Sequence, residues 1–308
     1  MRSLPLTVLA WEGPQARAYL SRMRLAGLRP DRILLPVLDR HPATKKPVGK
    51  WLPRRFRLRY AEKSQELSNN YWPRRIRVSY PFLEGTMVKE IKLLCAPAES
   101  MIDEMVGRFR YEHYANKAER VLVSGLSDPT LSDALSRMGS GTVLFTGGGI
   151  LRSNLLKLPG FRFLHVHPGY LPYVRGADGV LWSLLVRGRL GMSAFYMSSE
   201  IDTGDLIAAE EYAPVSFHIS GKSRPDDASL YRAIFSFFDP VLRAEFLVSR
   251  VLTKGYDLSS SSSVAQDVSK GITYHFMSPK LRHKALSLLF KSGKVSCGND
   301  PETLHVNP

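Results

Sequence analysis

Two histidines set two residues apart, His165 and His167, offer the first chemistry in this chain of 308 residues. They end an apolar run over residues 161–166 that reads as a buried strand, opened after Gly160 and stopped by Pro168. On an extended segment positions i and i+2 share a face, so both imidazoles leave the strand on one side. Pro168, Gly169 and Pro172 then predict a tightly held loop leading into Arg175-Gly176. Imidazoles titrate near neutrality, which suits proton transfer. The carboxyl end of a central strand is also where open α/β sheets bind ligands. Two structurally satisfied histidines at a strand end would look the same.

A carboxylate that could work with them lies in Glu200-Ile201-Asp202-Thr203-Gly204-Asp205. Acids flanking a glycine hold a carboxylate in a fixed turn, although Asp-x-Gly-Asp is also common in surface turns. Upstream, Gly147-Gly148-Gly149 follows an expected strand at 142–146 and precedes Ile150-Leu151. Three glycines there let the backbone approach a bound planar group, and would equally make a loose turn. No cysteine and histidine cluster has zinc spacing, so no metal site is expected. No GxxxxGK[ST] run is present, and no GxGxxG follows a strand. His275 and His283 lie too far apart to read as a metal pair and are expected to be structural.

The elements that position these residues begin with a β-prone run at 6–11. A helical period carries Ala16, Tyr19, Leu20 and Met23, and a second strand lies at 33–37. Strand, helix, strand predicts a βαβ start and a parallel sheet. Further helices are expected over 98–110, 128–138 (capped by Ser127 or Asp128), 179–186 and 229–254, and strands at 120–124, 191–197 and 210–214. The fold class is thus α/β with a mostly parallel sheet. The first domain spans 1–220, a helical carboxy-terminal region spans 221–290 with a polar linker at 259–263 and a last helix at 279–290, and 291–308 is expected to be a mobile tail.

Hydrophobic residues make up 44% and charged residues 23%, as in an ordinary globular protein. No apolar run reaches the length that crosses a bilayer, so no membrane partner is expected. Trp11, Glu12, Gly13 and Pro14 interrupt the amino-terminal apolar run, which reads as a strand and not a signal peptide. Two distant cysteines, Cys95 and Cys297, argue against a disulfide framework and fit a reducing cytoplasm. The net charge of +15 would attract anions. It concentrates in an insertion over about 40–80, where Lys45, Lys46, Lys50, Arg54, Arg55, Arg57, Arg59, Lys63, Arg74, Arg75 and Arg77 face only Glu62 and Glu66 and interleave with Trp51, Phe56, Tyr60, Tyr71 and Trp72. Such a mixture tracks phosphates and stacks on bases, so nucleic acid stays open as a partner. A solvated basic loop anchored by a few aromatics has the same composition and is the expectation taken here.

Taken together, the separated segments resemble the formyltransferase family that uses 10-formyltetrahydrofolate, including glycinamide ribonucleotide, methionyl-tRNA and sugar-amine formyltransferases. That family's motif, Asn-x-His-Pro-Ser/Gly-x-Leu-Pro-x-x-Arg-Gly followed by Asp-x-Gly, is matched by the run from His165 through His167-Pro168-Gly169, Leu171-Pro172 and Arg175-Gly176, and then by Asp202-Thr203-Gly204. The resemblance covers residues 120–214 well and the first βαβ unit loosely. It implies a Rossmann-like formyltransferase fold with a small helical carboxy-terminal appendage, a cis bond before Pro172, and an enzyme of one-carbon metabolism. That enzyme would move a formyl group from 10-formyltetrahydrofolate to a primary amine of a small acceptor. It further implies His167 in proton transfer and oxyanion stabilisation, Asp202 as the orienting acid, and Gly148, Gly149, Ile150, Leu151, Gly204 and Asp205 around the folate.

One position departs from the motif, because His165 stands where the family has asparagine. An amide donates N–H to an oxyanion without titrating, whereas an imidazole donates through one nitrogen and adds a pH dependence. Either His165 replaces the amide, or the site is weakened and binds folate without turnover; retained activity is the expectation, since the rest of the frame is present. The alternatives are an enzyme like methionyl-tRNA formyltransferase without that enzyme's carboxy-terminal barrel, and a non-catalytic folate- or anion-binding module.

Overall fold

The computed structural model describes residues 1–219, 224–253 and 263–292. Most of the expected linker at 259–263 and the expected tail beyond residue 292 lie outside the described residues, as does Cys297. Strand β1 (Arg2–Leu9), helix α1 (Pro14–Leu25) and strand β2 (Leu28–Leu38) make the expected βαβ unit with β1 and β2 parallel. Strand β2 is longer than the 33–37 read from sequence: it starts just after Gly27 and runs through Pro30 and Pro36. Pro36 is tolerated because it falls beyond the end of β1, so its missing N–H costs no ladder bond. There the Gln65 side chain takes over, donating to the Pro36 carbonyl at 3.1 Å and accepting from Leu38 N–H at 2.8 Å.

The basic insertion is not the expected loop. Helices α2 (Arg54–Asn69), α3 (Tyr71–Ser79) and α4 (Pro81–Ile91) fill most of it and the residues that follow. The buried stripes of α2 and α3 are thin, with only Ala61 and Gln65 in α2 and Pro73 and Ile76 in α3. So narrow a stripe carries little hydrophobic periodicity, which hides the helix from the sequence pattern. Of its aromatics, Trp51, Phe56, Tyr60 and Tyr71 are exposed, while Trp72 is half-buried under the Arg232 guanidinium.

Helix α5 (Ala98–Val106) buries Met101, Ile102 and Met105, as their spacing predicts. Strand β3 (Lys117–Val123), helix α6 (Pro129–Ser136) and strand β4 (Gly141–Phe145) follow. Asp128 caps α6 by accepting from Thr130 N–H at 2.9 Å, the second of the two caps expected. Next come the short α7 (Ser153–Leu156), strand β5 (Phe161–His167), strand β6 (Val174–Gly176), helix α8 (Gly179–Arg187), strands β7 (Leu190–Tyr196) and β8 (Leu206–Tyr212), and the short β9 (Phe217–Ile219).

The main sheet runs in the order β3-β2-β1-β4-β5-β7-β8. The first five strands are parallel, and β7 and β8 are antiparallel to their neighbours. This is the α/β, mostly parallel, Rossmann-like arrangement expected. The chain leaves β1 toward β2 and β3, then returns to the other side of β1 for β4 and β5. Open sheets reversed in this way bind ligands beyond the carboxyl ends of the strands.

The carboxy-terminal region shares the main core. Helix α9 (Asp227–Ala233) continues through a wide π-helical turn, Ile234–Phe238, into α10 (Asp239–Phe246) and a second π segment, Leu247–Leu252. Pro240 has no N–H to return to the preceding turn, which accounts for the widening before it. Strand β10 (Ile272–Tyr274) pairs with β6, helix α11 (Pro279–Leu289) follows, and strand β11 (Phe290–Ser292) pairs with β9. Phe290 packs on Phe217 with ring centroids 5.2 Å apart. Among the described residues no helix is long and apolar enough to cross a membrane.

Candidate active site

Strand β5 places the histidine pair. Phe161 and Phe163 face a small core with β4, α6 and α7, while Leu164 and Val166 face the large core. His165 and His167 continue the first of these faces past the end of that small core, as alternation requires. Both are buried. His165 is held between the Phe145 and Phe195 rings, each with its centroid 5.9 Å away. Its Nδ1 lies 2.9 Å from the Phe145 carbonyl, and since a carbonyl only accepts, Nδ1 carries the ring proton. Burial, reinforced by the Arg243 guanidinium, pushes the His165 imidazole down to about 4.

His167 donates from Nε2 to the Val174 carbonyl at 2.9 Å. Its Nδ1 lies 3.3 Å from Asp202 Oδ2, so the two motif halves do meet. Burial pulls His167 below the usual histidine value, against the opposing pull of Asp202. Asp202 sits in a left-handed turn at φ 55 and accepts Gly176 N–H at 2.8 Å on the same Oδ2. The glycine of Asp-x-Gly has a steric reason, since a Cβ at Gly204 would lie 1.7 Å from the Tyr196 carbonyl oxygen. A Cβ at Gly169 would likewise strike the His167 ring and the Val174 carbonyl, each at 2.5 Å. The bond before Pro172 is cis, as expected.

These groups line a cleft of about 510 Å³. Gly147, Gly148, Gly149, Ile150 and Leu151 form one wall, and His165, His167, Pro168 and residues 176–179 another. Gly204 and Asp205, expected near the folate, are not on the cleft wall. Their backbone is spent on the turn instead: the Asp205 carbonyl accepts Tyr196 N–H at 2.9 Å, and the Gly204 carbonyl accepts the Gln266 side chain. Asp205 itself is exposed.

Several cleft residues lie outside the motif. Asp178, at the start of α8, accepts the Tyr231 hydroxyl at 2.6 Å and Met277 N–H at 2.9 Å. Residues 273–276 close the cleft as a strap. Arg175 anchors that strap by donating to the Val268 and Gly271 carbonyls and to the Thr273 hydroxyl. Arg243 of α10 lines the cleft too, paired with Asp239 four residues earlier. A signal for this pair existed in the sequence. The helix is apolar on nearly every side, so a charged pair within it must be buried and matched. Among the described residues no cluster of histidine, cysteine, aspartate and glutamate could hold a metal.

No family model matches the chain. Methionyl-tRNA formyltransferase of Syntrophus aciditrophicus is 33% identical over 89 residues, 28% of this chain and 28% of the relative's length. The same enzyme of Clostridioides difficile is 34% identical over 71 residues, 22% of this chain and 23% of its own. Among solved structures, a 4-N formyltransferase from Francisella tularensis covers 87% of this chain and 74% of its own at 15% identity, with a TM-score of 0.41. The chain thus spans about a quarter of the length of the curated relatives it matches, and over that stretch it is similar to methionyl-tRNA formyltransferases.

Proposed function

We propose that the protein transfers a formyl group from 10-formyltetrahydrofolate to the primary amine of a small acceptor. The observation that carries this reading is the His167–Asp202 pair, a buried imidazole 3.3 Å from a half-buried carboxylate on the wall of a cleft at the carboxyl end of β5. The cleft suits the folate. Its volume is in the range of small-molecule sites, and Ile150, Leu151, Phe195, Met197 and Phe235 offer apolar surface to a planar ring. When bound, 10-formyltetrahydrofolate supplies the activated formyl carbon.

The chain's own residues handle charge and protons. Val174 fixes a proton on His167 Nε2, so any second ring proton lies on the Nδ1–Oδ2 line to Asp202. The pair thereby takes up the proton of the attacking amine and returns it to the leaving nitrogen. Asp202 holds the ring, and the Gly176 amide holds Asp202.

A second reading has its own observation. Lys45, Lys46, Lys50, Arg54, Arg55 and Arg59 are exposed and make no ion pair among the described residues, beside exposed Trp51 and Tyr60. That surface suits an aminoacylated RNA as acceptor. Both readings are tested by supplying labelled 10-formyltetrahydrofolate with a panel of small primary amines and with methionyl-tRNA. Formamide product with a small amine is expected. Transfer to the RNA alone, falling steeply with salt, would install the second reading. No transfer to either would remove both.

A further inference from the structure

The position where the resembled family has an asparagine amide holds His165, and its geometry withholds a donor. The ring proton is fixed on Nδ1 by the Phe145 carbonyl, so Nε2 is a lone pair with no protein partner among the described residues. The charged groups around the ring are Arg243 from α10, Asp202 from its turn and His167 on the same strand, and burial with Arg243 keeps it neutral. An oxygen gaining negative charge in the cleft finds no N–H there.

Arg243 stands on the same wall. Asp239 accepts from its Nε at 3.0 Å and from Nη2 at 2.7 Å, and the Val166 carbonyl, between the two histidines, accepts from Nη1 at 3.2 Å. These use three of the five N–H bonds of a guanidinium. One remains on each terminal nitrogen, for the Tyr19 hydroxyl beside it or for a bound group. The side chain is 13% exposed, and that of its partner Asp239 is 3% exposed.

We propose that Arg243 is the catalytic donor that stabilises the charge developing on the formyl oxygen, with Asp239 as its positioning residue. This rests on the transferase reading above. As the amine nitrogen adds its lone pair to the formyl carbon, the C=O pair moves onto the oxygen facing Arg243, and the nitrogen's proton passes to the His167–Asp202 pair. When the pair returns, the bond from that carbon to N10 of the folate breaks. N10 takes the bonding pair and the proton, leaving a formamide and tetrahydrofolate.

The test compares the parent with Arg243→Lys, which keeps the charge, and with Arg243→Gln combined with Asp239→Asn, which removes both charges at nearly constant shape. Histidine-ring ¹⁵N NMR of the full chain is expected to show the Nδ1–H tautomer for His165, with its titration moving upward in the uncharged double variant. In the transfer assay the double variant is expected to lose kcat about 10²–10³-fold, the cost of one oxyanion donor, with little change in KM. Arg243→Lys should fall between it and the parent. A parent that transfers nothing overturns the transferase reading and this inference with it. An active parent whose double variant keeps its kcat overturns the inference alone. So does a loss confined to the acceptor KM, which would make Arg243 an acceptor anchor, and so does an Nε2–H tautomer in the parent.

Discussion

Two buried polar clusters lie beyond carboxyl ends of parallel strands in one sheet, and they differ in what is left unsatisfied. Just past β1, Glu12 Oε1 accepts from Arg17 at 2.9 Å and Asn70 at 2.7 Å, while Oε2 accepts the Tyr111 hydroxyl at 2.6 Å. Arg17 spends further N–H bonds on the Met105 and Gly107 carbonyls. Burial and Glu12 drive the Tyr111 hydroxyl far above its ordinary value, so it stays a donor. Apart from Asn70 Oδ1, which is buried without a partner among the described residues, this knot is matched within the protein and ties α1, α3 and α5 to the sheet. Past β5, by contrast, His165 Nε2 and part of the Arg243 guanidinium face a cleft. Both clusters are largely enclosed, although Arg243 and Asp202 keep 13% and 15% of their side chains exposed. Saturation separates a structural cluster from a chemical one, because unmet hydrogen-bonding capacity beside a cavity is what a reacting group can use.

The largest expected effect on stability comes from the saturated cluster. Glu12→Ala leaves Arg17 buried and unpaired and should cost about 3–5 kcal/mol in urea denaturation. An unaffected denaturation midpoint would show that the knot is not what holds these helices. Next is Gly204→Ala, whose methyl group collides with the Tyr196 carbonyl. It should cost about 1–3 kcal/mol and lower kcat by displacing Asp202; a fall in stability with unchanged kcat would uncouple the turn from the site.

Acidification sharpens the contrast. His165 is held near about 4 and His167 below the ordinary 6.5, so both are neutral at neutral pH. Transfer should fall only as pH drops below 6.5, with the limb extending toward 4. The unfolded chain protonates these rings first, so stability should fall through the same window. A limb centred above 6.5 would contradict the buried geometry. Smallest of all, Arg54→Ala with Arg55→Ala should change stability by no more than about 0.5 kcal/mol. It should also leave transfer to a small amine unchanged; a loss restricted to methionyl-tRNA would shift the acceptor toward RNA.

The open cluster was partly legible in the sequence. Alternation along residues 161–167 puts Phe161, Phe163, His165 and His167 on one face, and short-range pattern suffices for that. Asp202 came through the motif, because the pairing spans 35 positions and no local pattern encodes it. Arg243 and the strap at 273–276 were not seen as cleft residues, since long-range packing alone brings α10 and β10 to β5 and β6. Helix α2 was missed because Ala61 and Gln65 make too thin a stripe to read against so many arginines.

The central claim is that His167 and Asp202 act as one unit on a transferred formyl group. Single-turnover transfer by the parent, His167→Gln, Asp202→Asn and the double variant, each with its fold checked by circular dichroism, tests it most directly. Each single variant should lose roughly 10²–10⁴ in rate, and the double variant should lose little more than either. Rates within about threefold of the parent in both single variants would contradict the claim.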